Sequence, residues 1–510
     1  MVFKCNSFGL FGIDSYPVEV EASVSRGMAA FEIVGLPDTA VKESRDRVRD
    51  AFCNSGFEFP VSRITVNLAP ADTKKEGALY DLPIFVAIMK AAGILKANTD
   101  DCAFLGELGL SGEVRSVNGI LPMTIEAKKT GIKNLFVPAA NAFEGAVIEG
   151  INVYPVRTVN ELYDHLRKKT PLNPAKPRII KNDTAHLPDF AQVKGQYEAK
   201  RALEVAAAGG HNVLLIGPPG SGKSMLAKRL VSILPDMTMD ETIETTKIHS
   251  IAGILPEGVS LVSSRPFRSP HHTVSYVSMS GGGGGSNIKP GEISLANNGV
   301  LFLDELPEFG RKTMEILRQP LEDGTVTISR ANGKYTYPCN FMLIAAMNPC
   351  PCGYFTHPTR DCICTPNQVR RYLNRISGPL LDRFDIQIEV PPVDFDDLSR
   401  KFRYEPSADI KKRVNNARDI QNERYKDSAT TCNAGVTEGE FEKFFKLDAD
   451  ASELMKSVFE KMELSARGYT RIVKVARTIA DLDGCDNIKV EHIAEAAQYR
   501  SLDRKYWNRT

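Results

Sequence analysis

A glycine-rich run, GPPGSGKS, follows the apolar run VLLI near the middle of the chain and leads into an amphipathic segment. The glycines of such a run let backbone N–H groups turn towards phosphates, and the helix that follows adds the positive end of its dipole. The lysine reaches the outer phosphates and the serine binds Mg²⁺. The run therefore predicts a site for ATP and Mg²⁺ formed by Gly217, Pro218, Pro219, Gly220, Ser221, Gly222, Lys223 and Ser224.

Two further apolar runs end in polar residues that suit the same site. The run GVLFL is followed by Asp304 and Glu305. The first carboxylate can bind Mg²⁺ through water, and the second can orient or deprotonate an attacking water. The run FMLIAAM ends in Asn348, which would lie beside the γ-phosphate in a parallel sheet. A plain Asn-Pro turn is the alternative for Asn348. Together these residues predict hydrolysis of the nucleotide.

Four cysteines follow this asparagine as two C-x-C pairs, Cys350 with Cys352 and Cys362 with Cys364. Four thiolates can close a tetrahedral Zn²⁺ site that leaves no position open for chemistry. Soft thiolates also select zinc rather than magnesium. The pattern is open between a structural zinc clip, in which His357 could replace one ligand, and four ordinary thiols. A clip would brace the segment between the asparagine and the next helix.

The elements that would position these residues fall into three blocks, and the fold class is α/β. Residues 1–168 alternate β-rich and helix-like runs, and residues 169–188 are proline-bearing and basic, which indicates a linker. Residues 189–394 alternate strands and helices around a parallel sheet and carry every strong motif, with the possible zinc insertion at 350–364. Residues 395–510 contain helical runs only, which predicts a helical C-terminal domain.

The composition is that of a soluble globular protein of several domains: 510 residues, 42% hydrophobic and 25% charged. The net charge of +1 neither indicates nor excludes a nucleic-acid partner. No apolar run approaches the ~20 residues needed to cross a bilayer, and the start of the chain lacks the pattern of a signal peptide. We therefore expect a cytoplasmic protein without a membrane partner, whose ten cysteines are thiols or metal ligands.

Together the motifs resemble the AAA+ ATPases, and LLDRFD is similar to the segment in which that superfamily carries its arginine finger. The resemblance extends to the magnesium chelatase-like ATPases of the ComM (YifB) type. It rests on GQYEAKRALEVAAAGGHNVLLIGPPGSGKSMLA, PFRSPHHT, PGEISLANNGVLFLDELPEF, NPCPCG, ISGPLLDRFDI and ARGYTRIVKVARTIADL, and it covers nearly the whole chain.

This resemblance implies a homo-hexameric, DNA-dependent ATPase that promotes branch migration of recombination intermediates, including those of natural transformation. It implies that Arg383 is a finger supplied to the ATP of the neighbouring subunit. It also implies that Arg471, in GYTR, is the lid arginine that contacts the γ-phosphate, with Arg467 as its rival for that role. Recombination proteins would be further partners.

The N-terminal block resembles the peptidase domain of Lon, which shares its fold with a ribosomal protein domain. The resemblance rests on KKEGALYDLPIFVAIMKAAG and GELGLSGEVRSVNGILP. Leu79 stands at the position where Lon carries its serine nucleophile, and Pro122 falls about where the dyad lysine would be. Covalent catalysis needs a nucleophile and an adjacent base. We therefore expect a scaffold or a DNA-guiding collar rather than a protease.

Two segments before Asn348 are candidates for contact with DNA. In GTVTISRANGKYTYP, alternating β-formers flank Asn332-Gly333, which predicts a two-residue hairpin turn with Arg330 and Lys334 beside its tip. Basic side chains there could bind phosphates of single-stranded or branched DNA, or the hairpin could simply be solvated. The insertion at 269–293 is also expected near DNA. Its histidines are expected to be structural, because no carboxylate or cysteine lies near them with ligand spacing.

Three functions compete. The first is a DNA-translocating ring ATPase. The second is a chelatase-type ATPase that remodels a protein partner. The third, an ATP-dependent protease, is disfavoured because Leu79 and Pro122 stand where the dyad is needed.

Overall fold

The computed structural model describes residues 2–178, 188–256, 258–283, 288–330, 333–393, 404–428 and 430–507. Residues 179–187 of the expected linker at 169–188 therefore lie outside the described residues, as does the expected boundary at 394 and 395. No helix within these described ranges is both long enough and apolar enough to span a membrane.

The N-terminal region is built on a mixed seven-stranded sheet. Its strands are β1 (Val2–Phe11), β2 (Asp14–Ser25), β3 (Ala30–Val34), β4 (Arg63–Ala69), β5 (Cys102–Phe104), β8 (Asn134–Pro138) and β9 (Asn152–Val156), while β6 (Glu107–Leu108) and β7 (Val114–Arg115) form a separate pair. The order is β3-β4-β2-β1-β5-β8-β9. Within the seven-stranded sheet, β2 pairs antiparallel with β1 and β4, and the other neighbouring strands are parallel.

One face of this sheet is covered by helices because alternate strand residues are apolar. In β2, for example, Val18, Val20 and Ala22 are buried, as the period of two in a strand requires. The helix Asp81–Ala91 is buried along almost its whole length, in keeping with its nearly continuous apolar sequence. The helices of the region are Thr39–Asn54, Asp81–Ala91, Ile120–Lys129, Ala142–Gly145 and Val159–Leu166.

The central region contains a parallel five-stranded sheet. Its strands are β10 (Val213–Ile216), β11 (Phe267–Arg268), β14 (Val300–Leu303), β17 (Met342–Met347) and β18 (Ile386–Glu389), in the order β11-β14-β17-β10-β18. Short pairs are formed by β12 (Gly281–Gly282) with β13 (Lys289–Pro290) and by β15 (Thr325–Arg330) with β16 (Gly333–Pro338). Every residue of β10, β14 and β17 is buried, as expected of parallel strands covered on both faces.

Helices of the central region cover both faces of this sheet. They are Tyr197–Gly209, Lys223–Arg229, Met239–Ala252, Tyr276–Ser280, Glu292–Leu295, Arg311–Glu315, Pro320–Asp323, Pro366–Leu373 and Gly378–Leu381. Strands β10, β17 and β18 are in level register, with Ile216 opposite both Met347 and Glu389. Their carboxyl ends therefore lie side by side, and so do their amino ends.

The C-terminal region is helical and shares one apolar core with the central region. Its helices are Ser407–Arg424, Glu438–Phe444, Ala449–Met462, Ala466–Leu482, Val490–Gln498 and Leu502–Tyr506. Helix Ala466–Leu482 packs against helix Tyr197–Gly209 of the central region. The α/β class, with a parallel central sheet and a helical C-terminal region, is confirmed.

The N-terminal and central regions are in contact. The buried hydroxyl of Ser250 donates a hydrogen bond to Glu144, whose pKa is raised by burial. The Phe11 ring at the end of β1 lies 4.8 Å from the Tyr335 ring of β16. The β15-β16 hairpin is thus held against the N-terminal region.

Candidate functional site

The glycine-rich run forms the loop between β10 and helix Lys223–Arg229 at the carboxyl edge of the central sheet. Its first residue, Gly217, donates its N–H to the Met347 carbonyl at 3.2 Å. A Cβ at Gly217 would overlap the Val390 carbonyl oxygen, so only glycine lets the loop begin against the neighbouring strands. The loop then leads directly into a helix, which presents its positive dipole end.

Lys223 follows this loop, and its Nζ contacts both the loop and the residue that directly follows the neighbouring strand β17. It donates to the carbonyls of Gly217 and Pro218 at 2.7 and 2.9 Å and to Asn348 Oδ1 at 3.2 Å. Burial lowers the pKa of Lys223 to about 8, against the opposing influence of nearby carboxylates. The structure therefore brings Lys223 and Asn348 together, although the sequence separates them widely.

Ser224 and Asp304 form the second contact across the sheet edge. Ser224 Oγ donates to Asp304 Oδ2 at 2.6 Å. A hydroxyl and a carboxylate are the oxygen ligands that Mg²⁺ prefers beside phosphates. The residues present at this edge therefore fit a Mg²⁺-nucleotide.

Glu305, the next residue, has an unusual backbone and a neighbour that the sequence did not predict. Its φ is 54°, a left-handed conformation that costs a non-glycine residue about 1–3 kcal/mol and is common at active sites. His272 Nδ1 lies 3.5 Å from Glu305 Oε2, and the His271 ring is 4.1 Å from that of His272. The sequence shows no carboxylate at ligand spacing from these histidines, and it is the fold that brings Glu305 to His272. The histidines follow β11, which pairs with β14, and Glu305 is the second residue after β14.

Arg383 and Arg471 lie at the opposite, amino edge of the same sheet. Asn212, which precedes β10, donates its side-chain N–H to the Arg383 carbonyl at 2.9 Å and its backbone N–H to Asp385 at 3.2 Å. Arg471 Nε is 3.6 Å from Asp385 Oδ1. A four-residue strand spans roughly 13 Å, so neither arginine reaches the phosphate loop of its own chain.

Arg471, the expected lid arginine, therefore lies at the sheet edge away from the phosphate loop of its own chain, and its contact with a γ-phosphate stays a prediction. The physical reason is the packing of helix Ala466–Leu482. This helix lies on helix Tyr197–Gly209, and its Thr478 hydroxyl is 2.7 Å from His211 Nε2, just before β10. Because the helix packs at this place, Arg471 lies at the amino edge of the sheet.

These arginines line a cavity of about 560 Å³ that also borders Arg265, Arg418, Arg467 and Lys474. Burial lowers the pKa of Arg471 and of Lys474, as expected where cations are crowded away from water. Arg383 Nη2 bonds Glu322 at 2.6 Å. Two buried nitrogens, Arg383 Nε and Arg471 Nη1, have no hydrogen-bond partner within the described part of the chain. The lining also includes carboxylates: Glu241, Glu322, Asp323, Asp385 and Glu438.

The four cysteines come together in one cluster, with all four Sγ atoms within 4.8 Å of one another. Cys350 Sγ is 3.3 Å from that of Cys352 and 3.7 Å from that of Cys362, and the last two are 3.6 Å apart. A tetrahedral site with Zn–S bonds of about 2.3 Å places sulfurs about 3.8 Å apart. The sulfur geometry fits that ion.

Backbone N–H groups also face this cluster. Phe355 donates its N–H to Cys350 Sγ at 3.3 Å. Burial raises the pKa of the Cys352 thiol, but N–H groups of Tyr354 and Ile363 and the neighbouring thiols bring it down to about 6. His357 lies outside the four-sulfur group, and its Nδ1 accepts from the backbone of the following turn.

Comparisons with known proteins agree with this architecture. A profile described as "Magnesium chelatase, subunit ChlI" matches residues 189–398, and companion profiles of the same subunit match 20–141 and 404–500. The chain is 44% identical to YifB of Escherichia coli and 43% identical to ComM, a competence protein of Haemophilus influenzae. Each match covers 97% of this chain and 96% of the relative.

The chain belongs to the magnesium chelatase-like family of ComM and YifB.

A partial match of a different kind is to the DNA repair protein RadA of Bacillus subtilis, with 41% identity over 88 residues. It covers 17% of this chain and 19% of RadA. The resemblance to the ComM and YifB family predicted from the motifs is thus confirmed over nearly the whole chain.

In this member of the family the expected DNA-facing hairpin is formed by β15 and β16. The pairing sets Arg330 opposite Gly333 and Ser329 opposite Lys334. Gly333, predicted as the second residue of the turn, is therefore a paired strand residue, and Asn332 lies outside the described residues. The Lys334 side chain is exposed, and the Arg330 side chain is outside the description.

The two positions at which the family member departs from the Lon pattern are both internal. Leu79 belongs to the apolar core of the N-terminal region. Pro122 is buried in helix Ile120–Lys129. Neither side chain offers a nucleophile or a base.

Proposed function

We propose that this chain is an ATPase that works as a ring motor on DNA and promotes branch migration of recombination intermediates. The observation that carries the proposal is the division of charged residues between the two edges of one sheet. A phosphate loop with carboxylates lies at the carboxyl edge, and an arginine-lined cavity lies at the amino edge. A second copy is needed to bring the two kinds of edge together.

At the carboxyl edge each residue has a separate role in this proposal. Residues 217–224 surround the phosphates, and Lys223 leaves its carbonyl partners to contact the outer phosphates. Ser224 and Asp304 hold Mg²⁺, which offsets the charge of the phosphates. Glu305 orients the attacking water and accepts its proton, and Asn348 fixes that water or the γ-phosphate.

At the amino edge Arg383 and Arg471 complete the site of the neighbouring copy. Phosphoryl transfer spreads negative charge over the γ-phosphate oxygens, and an arginine placed there is worth about 10³–10⁵ in rate. The two buried nitrogens without partners are donors that a phosphate would satisfy once the arginine side chains turn towards it. A head-to-tail contact of this kind repeats around a closed ring, and the family resemblance favours a homo-hexamer.

DNA as the substrate is supported by the relatives and by the hairpin. ComM is a competence protein and RadA a DNA repair protein, which favours single-stranded or branched DNA. Lys334 is exposed on the hairpin, where it would contact the phosphate backbone. Other recombination proteins would act on the same intermediates.

A chelatase-type ATPase that remodels a protein partner is the second candidate, and the magnesium chelatase profiles favour it. The two candidates differ in what stimulates hydrolysis. We expect single-stranded or forked DNA to stimulate ATP turnover of the purified chain. A rate that DNA leaves unchanged would favour the protein-remodelling alternative.

A mixing experiment tests the shared site. Lys223→Ala removes a subunit's own site but leaves its arginines, and Arg383→Ala does the reverse. Each variant alone should be inactive, while random 1:1 mixing pairs an intact loop with an intact finger at about one quarter of the interfaces. Recovery of roughly that fraction of wild-type turnover supports catalysis across subunits. No recovery in mixtures that assemble would contradict it.

A further inference from the structure

The loop that carries the four cysteines touches the phosphate loop. Gly353, between the two cysteine pairs, has a φ of 83°. A Cβ at this position would overlap Pro219 Cδ and lie 2.8 Å from Pro219 Cγ. Pro219 belongs to the glycine-rich run itself. The backbone at Gly353 is therefore the surface against which one side of the phosphate loop rests.

The same cysteine loop is continuous with a residue of the nucleotide site at one end and with a helix at the other. Cys350 comes two residues after Asn348, whose side chain accepts from Lys223. Cys364 immediately precedes Thr365, which caps helix Pro366–Leu373 through reciprocal bonds with Gln368. A clamp on the four sulfurs would fix both ends of the loop and the turn at Gly353 between them.

We propose that Cys350, Cys352, Cys362 and Cys364 bind one Zn²⁺ ion, and that this ion holds Gly353 against Pro219 and so sets the position of the phosphate loop. Four thiolates close the coordination sphere, so the ion is structural. Each thiol that binds gives up its proton to solvent, which the N–H donors around the sulfurs favour. The metal site stands on the sulfur geometry alone; its effect on nucleotide rests on the proposed function.

The first test is the metal content of the full chain. Elemental analysis after gel filtration should find about one zinc per chain in the wild type, as a closed four-thiolate site requires. Cys350→Ser and Cys362→Ser should lose most of it. Cys53→Ser is the matched control, because Cys53 is an exposed cysteine outside the cluster, and it should retain the metal. A wild-type chain without zinc would overturn the site.

The second test separates the effect on nucleotide from the binding of metal. Gly353→Ala should keep its zinc but bind a fluorescent ATP analogue about tenfold more weakly, since a displacement of about 1 Å can cost up to about 100-fold at a reaction site. Gly131→Ala is the control. Gly131 has a φ of 85°, close to that of Gly353, but open space around it. It should bind the analogue like the wild type.

The outcomes distinguish the two parts of the inference. Equal nucleotide affinity in Gly353→Ala and Gly131→Ala, with zinc present in both, would overturn the coupling. Zinc in a wild-type chain that binds no nucleotide would leave the metal site standing and refute the proposed function. Removal of zinc from the wild-type chain with a chelator should reproduce the Gly353→Ala affinity, which keeps the test informative if the cysteine variants do not fold.

Discussion

The carboxyl and amino edges of the central sheet differ in how their residues are brought together. At the carboxyl edge the phosphate loop, Asp304 and Asn348 each follow directly on a buried strand. At the amino edge, Arg471 comes from a helix of the C-terminal region and is placed by helix packing. The first edge is assembled by strand order, and the second by the contact between two regions.

This difference has a mechanistic consequence. Strands in level register place their terminal residues within a few ångströms of one another, so the carboxyl edge forms in an isolated chain. The arginine-bearing cavity at the amino edge holds donors without partners in the described part of the chain, which an anion from another molecule would satisfy. Binding would thus belong to one subunit and turnover to a pair.

Among the variants considered, removal of an amino-edge arginine should have the largest effect on ATP turnover. We expect Arg471→Ala to reduce ATP turnover by about 10³-fold or more, because a cation is lost where negative charge develops. Nucleotide binding should remain close to that of the wild type. Steady-state turnover and binding of a fluorescent ATP analogue measure the two effects separately.

Arg467→Ala is the matched control, since Arg467 borders the same cavity from the same helix. It should keep turnover within a few-fold of the wild type. Mixing Arg471→Ala with Lys223→Ala tests where the arginine acts. An arginine that served its own subunit could not be rescued in this mixture. The absence of recovery would therefore contradict the proposal that the amino edge acts on the ATP of a neighbouring subunit.

Glu305→Gln tests the carboxyl edge. The amide cannot accept a proton from water, and we expect turnover to fall by about 10²–10⁴-fold, the usual contribution of a general base. ATP should still bind, because Lys223, Ser224 and Asp304 are unchanged. Hydrolysis measured in a single turnover isolates this step. Wild-type turnover in Glu305→Gln would show that another group activates the water.

The sequence was sufficient for the carboxyl edge because its information is local. Each polar residue there directly follows an apolar run of strand length, and parallel strands bring such positions together. It was sufficient for the α/β class for the same reason. It was not sufficient for Arg471, whose location depends on how helix Ala466–Leu482 packs on its neighbour. Nor was it sufficient for Gly333, which was predicted in the turn and is paired with Arg330.

Nucleotide affinity should depend on pH through the protonation of Lys223. Burial lowers its pKa from 10.5 to about 8, so the side chain is charged below about pH 8 and neutral above it. Phosphates bind the charged form, so binding above this pH takes up a proton. Affinity should fall about tenfold for each pH unit above 8, up to the pKa that Lys223 has beside the bound phosphates.

Calorimetry in two buffers of different ionisation enthalpy measures this proton uptake directly. Lys223→Arg is the control, because arginine keeps its charge throughout this range. It should bind nucleotide without taking up a proton. Equal wild-type affinity at pH 7.5 and pH 9.5, with no proton taken up, would contradict the lowered pKa.

The smallest expected effect concerns His272, a positioning residue for Glu305. The Glu305 side chain is 57% exposed, and His272 Nδ1, at 3.5 Å, is near enough to restrict it. His272→Ala should lower kcat about fivefold, equivalent to about 1 kcal/mol, and leave the KM for ATP unchanged. His272→Asn offers an amide nitrogen near the same place and should recover part of the loss.

His271→Ala is the control, since the His271 ring bonds Thr273 rather than Glu305. It should leave kcat unchanged. If both histidine variants lost kcat and nucleotide affinity equally, the pair would only support the fold of the segment after β11. A loss confined to kcat in His272→Ala would instead show that the carboxyl edge also depends on a residue that does not directly follow one of its buried strands. In that respect the carboxyl edge would resemble the amino edge.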